Sequence, residues 1–318
     1  MVLVVTPNPC LDRTLFVDAH RPSGRVEVQK ATEIAGGKGS NVCRVLKELG
    51  VPCVHLVPLG GYTGERVFHL LTGEGIATVP VWIRSATRVV TTVVDRQWHQ
   101  IVYFEPPHEM EHEEKREFLT QLTALQENAD FVLFCGSLPP SFPEFYEEAL
   151  PRCQGKSVII DGRGEALRTL SSYPFGVKMN AEEAEVTLGK PLQKPRDWEA
   201  FFDFFFTRGA QIVILTLGKD GAVLGRKEGF LFAQPPEIPA VNPVGSGDAF
   251  LAGFIYGLLR WNSFEEAMRL GTAAGACNAM VWEAGRVDTG ILPILAERVV
   301  VREMKGIWYS GRDRNCRH

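Results

Sequence analysis

Residues 242–250 of this 318-residue chain read NPVGSGDAF and lead directly into an apolar pattern of helical period. Pro243 restricts the residue before it to extended backbone, and the glycines after it allow a tight turn into the helix. Gly245, Ser246 and Gly247 can therefore present three successive backbone N–H groups at a helix N-terminus. Such a terminus favours the binding of an anion.

Asp248 comes next and falls in the first turn of the predicted helix. A carboxylate at this position interacts favourably with the helix dipole, which would be reason enough for its presence. A carboxylate beside an anion-binding turn is also suited to accept a proton next to a phosphoryl group during transfer. This segment alone leaves both interpretations open.

A second glycine cluster, AGGKGSN at residues 35–41, precedes another helical pattern, predicted from Ser40 to Leu49. Glycines and Lys38 at a helix start again suit an anion. The two common nucleotide-binding patterns do not fit. GxxxxGK must be followed by Ser or Thr where Gly39 stands, and GxGxxG needs glycine where Val42 stands. A glycine-rich turn by itself is a weak indication of a binding site.

Along the chain, short apolar runs alternate with amphipathic helical patterns. The runs have the continuous apolar character of strands that are covered on both faces of a parallel sheet. They are Val2 to Thr6, Val54 to Pro58, Phe131 to Cys135, Ser157 to Asp161, Gly176 to Met179 and Ile212 to Thr216. The further helical patterns are Glu111 to Glu127, Pro143 to Arg152, Trp198 to Arg208 and Asp248 to Arg260. This alternation predicts an α/β fold with a mostly parallel sheet.

Two segments, Thr14 to Lys30 and Thr87 to Phe104, break the alternation because their apolar residues follow a period of two. Within the second, residues 91–94 and 100–103 flank a polar turn, which is a hairpin signal. We expect a small separate sheet that acts as a lid, with strands from about 12–34 and 84–106. Residues 305–318 are basic and weakly patterned, and we expect a flexible tail there.

The composition is that of a soluble globular protein, with 45% hydrophobic and 23% charged residues, which argues against a disordered or fibrous chain. The formal net charge of −4 argues against nucleic acid as the main partner. No apolar run reaches the ~18 residues of a transmembrane helix, and the N-terminus lacks the basic segment of a signal peptide. The seven cysteines form no CxxC pair, so we expect reduced thiols in a cytoplasmic protein without a membrane partner.

The two glycine clusters together resemble the signatures of the PfkB (ribokinase-like) carbohydrate kinases. The similarity covers nearly the whole chain and is greatest to the 1-phosphofructokinase and tagatose-6-phosphate kinase branch. The segments that carry it are TPNPCLD at 6–12, GGKG at 36–39, CGSLPP at 135–140 and NP at 242–243. The resemblance implies one ribokinase-like three-layer α/β/α domain over residues 1–318, with a mostly parallel central sheet and a small β-sheet lid.

The resemblance also implies roles for single residues. Asp248 matches the general base of the family, and Gly245, Ser246 and Gly247 match the anion hole for the transferring group. The residues that match the sugar-phosphate site are Asp12, Arg25, Gly36, Gly37, Lys38, Asn41, Arg88 and Ser137. Arg25, Lys38, Arg88 and Ser137 are the members of that set expected to hold a phosphate already carried by the sugar.

On the nucleotide side, the matching positions are Asn180, Thr216, Gly218 and, less specifically, Asn278. Asn180 and Glu183 resemble the pair that organises Mg²⁺, through water because Mg²⁺ usually keeps several waters. They also fit a helix N-cap with a first-turn glutamate, and the two roles are compatible. The implied cofactor is Mg²⁺ as MgATP, and the resemblance leaves a monovalent cation open.

The implied activity is ATP-dependent phosphorylation of a ketohexose phosphate, fructose 1-phosphate or tagatose 6-phosphate, to the bisphosphate. The alternatives are a family kinase for fructose 6-phosphate, an unphosphorylated sugar or a nucleoside, and a sugar-phosphate sensor without catalysis. The resemblance further implies a homodimer formed through the lid strands. Two departures bear on the site: Glu27 stands where some relatives carry a basic residue, and Arg163 stands in an otherwise familiar segment.

Overall fold

The computed structural model describes residues 1–21, 23–192 and 195–304, so the predicted tail at 305–318 lies outside the described residues. Fourteen strands occur within these ranges. They are β1 Val2–Val5, β2 Cys10–Val17, β3 Val28–Gly36, β4 Cys53–Gly60, β5 Ala77–Ile83, β6 Val89–Val94, β7 Gln100–Phe104, β8 Phe131–Cys135, β9 Ser157–Asp161, β10 Gly176–Asn180, β11 Ile212–Thr216, β12 Ala222–Arg226, β13 Gly229–Gln234 and β14 Val300–Met304.

The larger sheet has the strand order β14-β13-β12-β11-β10-β9-β8-β1-β4-β5. From β11 to β5 all neighbouring strands pair in parallel. This part contains all six strands that the apolar runs predicted, so the prediction of a mostly parallel sheet is confirmed.

Helices cover both faces of this sheet. They are α1 Lys38–Glu48, α2 Gly61–Gly73, α3 His112–Gln126, α4 Phe145–Ala149, α5 Glu165–Arg168, α6 Ala181–Leu188, α7 Pro195–Phe206, α8 Ser246–Trp261, α9 Phe264–Ala279 and α10 Leu292–Arg298. Alternate residues of β1 pack into the two hydrophobic cores on opposite faces of the sheet. Val2 and Val4 pack with α1, α2, α8, α9 and α10, and Leu3 and Val5 pack with α3 to α7.

Five helices lie where helical patterns predicted them, although the segment from Pro143 to Arg152 is a short α4 followed by a 3₁₀ turn, Leu150–Cys153. The sequence prediction missed the antiparallel strands β12, β13 and β14 at one edge of the sheet. Gly225 interrupts the apolar run of β12, because a Cβ there would lie 2.6 Å from the ring of Phe202.

The smaller sheet has the order β3-β2-β6-β7. β6 and β7 lie within the second period-2 segment and form the expected antiparallel hairpin around residues 95–99. β2 and β3 overlap the first segment but extend beyond it at both ends. Even-numbered residues of β2, β3, β6 and β7 face the cleft described below, since Thr14, Thr32, Thr92 and Val102 all line it. Within the described ranges, no helix has both the length and the apolar character needed to cross a membrane.

Candidate active site

A cleft of about 540 Å³ lies between the smaller sheet and the carboxyl ends of the parallel strands. The chain runs from β1 to β4 and β5 on one side, and from β8 to β11 on the other, so the strand order changes direction between β1 and β8. Ligands bind at such switch points in open α/β sheets. Asn8 follows β1 and Ser137 follows β8, and both line the cleft.

The start of α8 forms one end of the cleft. Its N-cap, Gly245, has φ +81°, and a Cβ there would lie 2.9 Å from the Cβ of Ala284, so only glycine fits without strain. The amide of Ser246 donates to the carbonyl of Pro243 at 3.1 Å. The prediction of three free donors is therefore corrected to two. Among the described residues, the amides of Gly245 and Gly247 have no acceptor, and they remain available to an anion.

Asp248 lies in the first turn of α8, as predicted, and lines the cleft. Its Oδ2 accepts a hydrogen bond from Asn41 Nδ2 at 2.8 Å, while Oδ1 accepts none from the described residues. Burial is the main cause that raises the pKa of Asp248 to about 6. A carboxyl group with this pKa is ionised at neutral pH and binds a proton more readily than an exposed aspartate, which suits a general base.

Asn41 is held in place by Arg44, whose Nη1 donates to Asn41 Oδ1 at 2.9 Å. Arg44 is itself buried and pairs with Glu74. Because its carbonyl oxygen already accepts a hydrogen bond, the Asn41 amide must direct its Nδ2 towards Asp248.

Lys38 lines the cleft, but its ammonium pairs with carboxylates of β9 and α6 rather than standing free beside the other predicted phosphate residues. Its Nζ is 2.7 Å from Asp161 Oδ1 and 2.5 Å from Glu183 Oε1. Burial alone would lower the pKa of the Lys38 ammonium, but the carboxylates of Asp161 and Glu183 outweigh it and raise that pKa. The charge is therefore retained at neutral pH, but in this structure it is engaged on the side of the predicted nucleotide residues.

Asp161 also accepts from Lys178, whose Nζ is 2.7 Å from Asp161 Oδ2. Both side chains are fully buried. Burial would raise the pKa of Asp161, but the two ammonium groups outweigh it and hold that pKa below its ordinary value. A carboxylate thus sits between two lysines directly beneath the start of α8.

Asp12 lies within β2 of the smaller sheet, and its carboxylate points into the cleft. Cys10 Sγ donates to Asp12 Oδ1 at 3.2 Å. Burial raises the pKa of Asp12 above its ordinary value. Gly36 supplies the space for this carboxylate, because a Cβ at Gly36 would lie 2.4 Å from Asp12 Cγ. Gly37, with φ +96°, is the N-cap of α1 and also lines the cleft.

Arg88 and Ser137 meet at Asn8, as the prediction of a shared phosphate site requires. Asn8 Nδ2 donates to Ser137 Oγ at 3.1 Å, and Arg88 Nη2 donates to the Asn8 carbonyl at 3.5 Å. Arg88 Nε and Asn8 Oδ1 are buried without a hydrogen-bond partner. Arg25 is exposed between β2 and β3 and is not among the residues that line the cleft, so the described structure does not bring it to this group.

The predicted nucleotide residues lie at the carboxyl ends of β10 and β11. Asn180 pairs with Thr216 in the register of these strands, and Gly218, with φ +59°, begins the 3₁₀ turn that follows. Asn180 caps α6: its Oδ1 accepts from the amide of Glu183 at 2.8 Å, and Glu183 Oε2 accepts from the amide of Asn180 at 3.0 Å. The capping interpretation of this pair is therefore correct.

The side chains of Asn180 and Glu183 both carry oxygen atoms and are suited to contact Mg²⁺ through water molecules. Each already takes part in the cap, and no group of three His, Cys, Asp or Glu side chains within the described ranges is arranged to hold a metal. A cation that prefers oxygen ligands and retains its waters is compatible with such a set, whereas a complete protein cage is not.

Asn278 is fully buried, and its four hydrogen bonds are all internal. Nδ2 donates to the Val244 carbonyl and to Ser246 Oγ, and Oδ1 accepts from the amides of Gly285 and Arg286. With no polar atom left for a base, we revise the predicted nucleotide contact: Asn278 holds the 244–246 turn against the 285–286 segment.

The sequence reasoning missed several residues of the cleft. Asn8 could have been found from its place in the TPNPCLD segment, and Asn242 from its place beside Pro243. The sequence reasoning also missed the buried pair beside the cleft: Asp161 and Lys178 belong to predicted strands, and nothing in their spacing signals that they pair. Arg163, left open by the sequence, is exposed at the mouth of the cleft.

Comparisons with known proteins identify a family and individual proteins that are similar to this chain. The model of the family described as pfkB family carbohydrate kinase matches residues 5–285. The 1-phosphofructokinase of Bacillus subtilis (strain 168) is 32% identical over 306 residues, which are 95% of this chain and 100% of that protein. The ATP-dependent 6-phosphofructokinase isozyme 2 of Mycobacterium tuberculosis (strain CDC 1551 / Oshkosh) is 32% identical over 281 residues, which are 86% of this chain and 83% of that protein.

Among solved structures, the tetrameric inhibited form of phosphofructokinase-2 from Escherichia coli is similar, with a TM-score of 0.84 and 25% identity. The match covers 93% of this chain and 98% of that chain. This likeness confirms the predicted α/β fold, with its large, mostly parallel sheet and its separate small sheet.

Proposed function

Because the chain belongs to the pfkB family of carbohydrate kinases, we propose that it transfers the γ-phosphoryl group of ATP to a ketohexose phosphate. Fructose 1-phosphate and tagatose 6-phosphate are the proposed acceptors, and the product is the bisphosphate. The relatives named 1-phosphofructokinase and 6-phosphofructokinase support an acceptor that already carries a phosphate.

One observation carries the proposal: a single cleft offers two separate places for an anion. One consists of the free amides of Gly245 and Gly247 beside Asp248, and the other of Arg88 and Ser137, which meet at Asn8. A buried guanidinium nitrogen without an acceptor costs folding free energy, on the order of 1–3 kcal/mol. A phosphate oxygen that Arg88 Nε could reach would remove that cost. Two anion sites in one cleft suit a substrate phosphate and a transferring phosphoryl group.

The residues suggest the following steps. The sugar hydroxyls bind the carboxylate of Asp12. Gly36 leaves room for this carboxylate. The attacking hydroxyl gives its proton to Asp248 Oδ1, the oxygen that Asn41 leaves free. Its oxygen bonds to the γ-phosphorus as the bond from that phosphorus to the bridging oxygen breaks, and ADP leaves with the electron pair of that bond. The amides of Gly245 and Gly247 stabilise the charge on the transferring group, and a preorganised donor of this kind contributes roughly 3 kcal/mol to the transition state.

The proposed nucleotide site consists of Asn180, Thr216 and Gly218 at the carboxyl ends of β10 and β11, and Lys38 reaches it through Glu183. Asn180 and Glu183 would hold Mg²⁺ through its waters. When bound, Mg²⁺ neutralises charge on the nucleotide phosphates. The six free cysteines of the described chain suit a reducing compartment, and we place the reaction in the cytoplasm.

We further propose a homodimer formed through the smaller sheet. All residues of β7 are exposed, including Tyr103 and Phe104, and an uncovered edge strand with apolar side chains invites pairing. A monomeric mass by light scattering at assay concentration would refute this assembly.

ADP release from MgATP is the direct test, measured with fructose 1-phosphate, tagatose 6-phosphate, fructose 6-phosphate, fructose and adenosine. We expect the highest kcat/KM with one of the first two. Preference for fructose or adenosine would contradict the proposal. Binding of sugar phosphate with no turnover of any acceptor would favour a sensor without catalysis.

Arg88→Gln sharpens this test. A hydrogen bond between charged partners contributes about 1.5–3 kcal/mol, so KM for the phosphorylated sugar should rise about 10- to 100-fold, while any activity on fructose stays unchanged. Arg84→Gln is the matched control, because Arg84 is an exposed arginine that pairs with Glu111. An equal effect of Arg88→Gln on phosphorylated and unphosphorylated sugars would remove Arg88 from the phosphate site.

A further inference from the structure

Two tryptophans join the smaller sheet to the body of the protein across the mouth of the cleft. Trp98 lies in the hairpin turn between β6 and β7, and Trp282 lies between α9 and α10. Their ring centroids are 5.0 Å apart at an interplanar angle of 53°. Trp282 also lies 6.0 Å from the ring of Phe16 on β2, and both Phe16 and Trp282 line the cleft.

The backbone conformation at Trp98 indicates that its contact with Trp282 is not accidental. Trp98 has φ +65°, in the left-handed region that a bulky residue seldom adopts and where it costs on the order of 1–3 kcal/mol. Asp95 builds the turn: Oδ1 accepts the amides of Gln97 and His99, at 2.8 and 2.9 Å. Glycine or asparagine would satisfy such a turn at less cost, and the 61% exposed indole gains little from burial. The indole is stabilised by its contact with Trp282 instead, since aromatic pairs contribute about 0.5–1.5 kcal/mol beyond burial.

Trp282 is connected to the turn that precedes α8. Its carbonyl accepts a hydrogen bond from Asn242 Nδ2 at 2.8 Å, and Asn242 Oδ1 accepts from the amide of Val244 at 3.1 Å. Two residues after Trp282, Ala284 packs so closely on Gly245 that a Cβ there would lie 2.9 Å away. The position of Trp282 and the position of the Gly245 amide are therefore set by one short chain of contacts.

We propose that Trp98 and Trp282 form an aromatic clasp that holds the hairpin over the cleft, and that Trp98 is a positioning residue for phosphoryl transfer. It acts through Trp282 and Asn242 on the 242–248 turn. This inference rests on the proposed function for its catalytic consequence. With the clasp closed, the donors of the turn are aligned and water is kept from the γ-phosphoryl group. With the clasp open, the turn loosens, and water competes with the sugar hydroxyl.

The experiment compares Trp98→Leu, Trp98→Phe and Trp282→Leu with the wild type. Trp82→Leu is the matched control, because Trp82 is also half exposed but packs on Phe68 at the far edge of the larger sheet. For Trp98→Leu we expect kcat to fall about 10- to 100-fold, as for a small misplacement of reacting groups, with KM for ATP unchanged. ATP hydrolysis without sugar should rise relative to transfer, and Trp98→Phe should restore most of kcat.

A spectroscopic measurement tests the contact without any turnover. Two indoles this close give an exciton-coupled circular dichroism signal in the far ultraviolet, which Trp98→Leu and Trp282→Leu should abolish equally and Trp82→Leu should leave intact. Loss of that signal with kcat unchanged would refute the positioning role, and an unchanged signal would refute the clasp itself.

Failure of the proposed function has a different signature. In that case the wild type phosphorylates no ketohexose phosphate, and the circular dichroism measurement still decides whether the two tryptophans are in contact. An equal fall of kcat in Trp98→Phe and Trp98→Leu would also count against the clasp, because phenylalanine keeps an aromatic face towards Trp282.

Discussion

Asp248→Asn changes one oxygen of the site and little else. The asparagine carbonyl can still accept the hydrogen bond from Asn41 Nδ2, which is 2.8 Å from Asp248 Oδ2 in the wild type, so the turn at the start of α8 should keep its position. The variant cannot take the proton of the sugar hydroxyl. General base catalysis contributes typically 10²–10⁴-fold, and we expect kcat to fall by about that factor, with the dissociation constants of sugar phosphate and ATP retained.

The same substitution should stabilise the folded chain. Burial raises the pKa of Asp248 from 3.8 to about 6, roughly two units, and at ~1.4 kcal/mol per unit the ionised group costs the folded state about 3 kcal/mol. Because the folded-state pKa is the higher one, the folded chain holds the proton more tightly than the unfolded chain. The free energy of unfolding of the wild type therefore falls as the pH rises from about 4 to about 6, and the variant lacks this fall.

Two assays check the reasoning on the same preparations. Steady-state kinetics between about pH 5 and pH 8 should give a wild-type kcat/KM that rises up to a pH near 6, where Asp248 ionises, and a flat residual rate for the variant. Urea unfolding should give a more stable variant at pH 8 and equal stabilities near pH 4. Asp203→Asn, an exposed aspartate on α7, should change neither quantity. A variant within about tenfold of the wild-type kcat, or one no more stable at pH 8, would refute the assignment of a buried base.

Two further substitutions test the cleft from other sides. Gly36→Ala places a methyl group 2.4 Å from Asp12 Cγ, so KM for the sugar phosphate should rise at least about tenfold in steady-state kinetics with KM for ATP unchanged. An unchanged sugar KM would remove Asp12 from substrate binding, and Gly73→Ala is its control, because a Cβ at Gly73 meets nothing within 4 Å. Asp161→Ala leaves the buried Lys178 without its carboxylate and should lower the free energy of unfolding in urea by about 3–5 kcal/mol. A loss below about 1 kcal/mol would mean that solvent or another group neutralises that lysine.

The parallel part of the large sheet was predictable because strands covered on both faces are continuous apolar runs, whatever their neighbours are. The strands at and near the two edges of the sheet were not predictable, for reasons visible in single residues. Pro80 interrupts β5, which an edge strand tolerates because one side of its backbone needs no partner. In β12, Gly225 replaces an apolar side chain so that the ring of Phe202 can pack on the backbone. Tertiary packing, rather than local pattern, decides both.

The candidate site follows a similar division. The turn with Gly245 and the position of Asp248 depend on local geometry, and the sequence placed both correctly at a helix start. Asn278 and Lys38 depend on contacts with residues far along the chain, and their predicted roles changed once those contacts were known. The sequence does not distinguish a buried asparagine with four internal hydrogen bonds from an asparagine that contacts a ligand.

The basicity of Asp248 shows most directly why spacing alone could not define this site. Two buried or half-buried lysines and an aspartate lie close to Asp248. The pKa of Asp248 depends on which carboxylate these lysines pair with. Lys38 and Lys178 both pair with Asp161, at 2.7 Å each, while Asp248 receives only the neutral Asn41 amide. Had a lysine paired directly with Asp248, the positive charge would have favoured the carboxylate and kept its pKa low, leaving a poor base. Asp161 thus does two things at once: it neutralises the lysines, and by holding them it leaves Asp248 able to bind a proton.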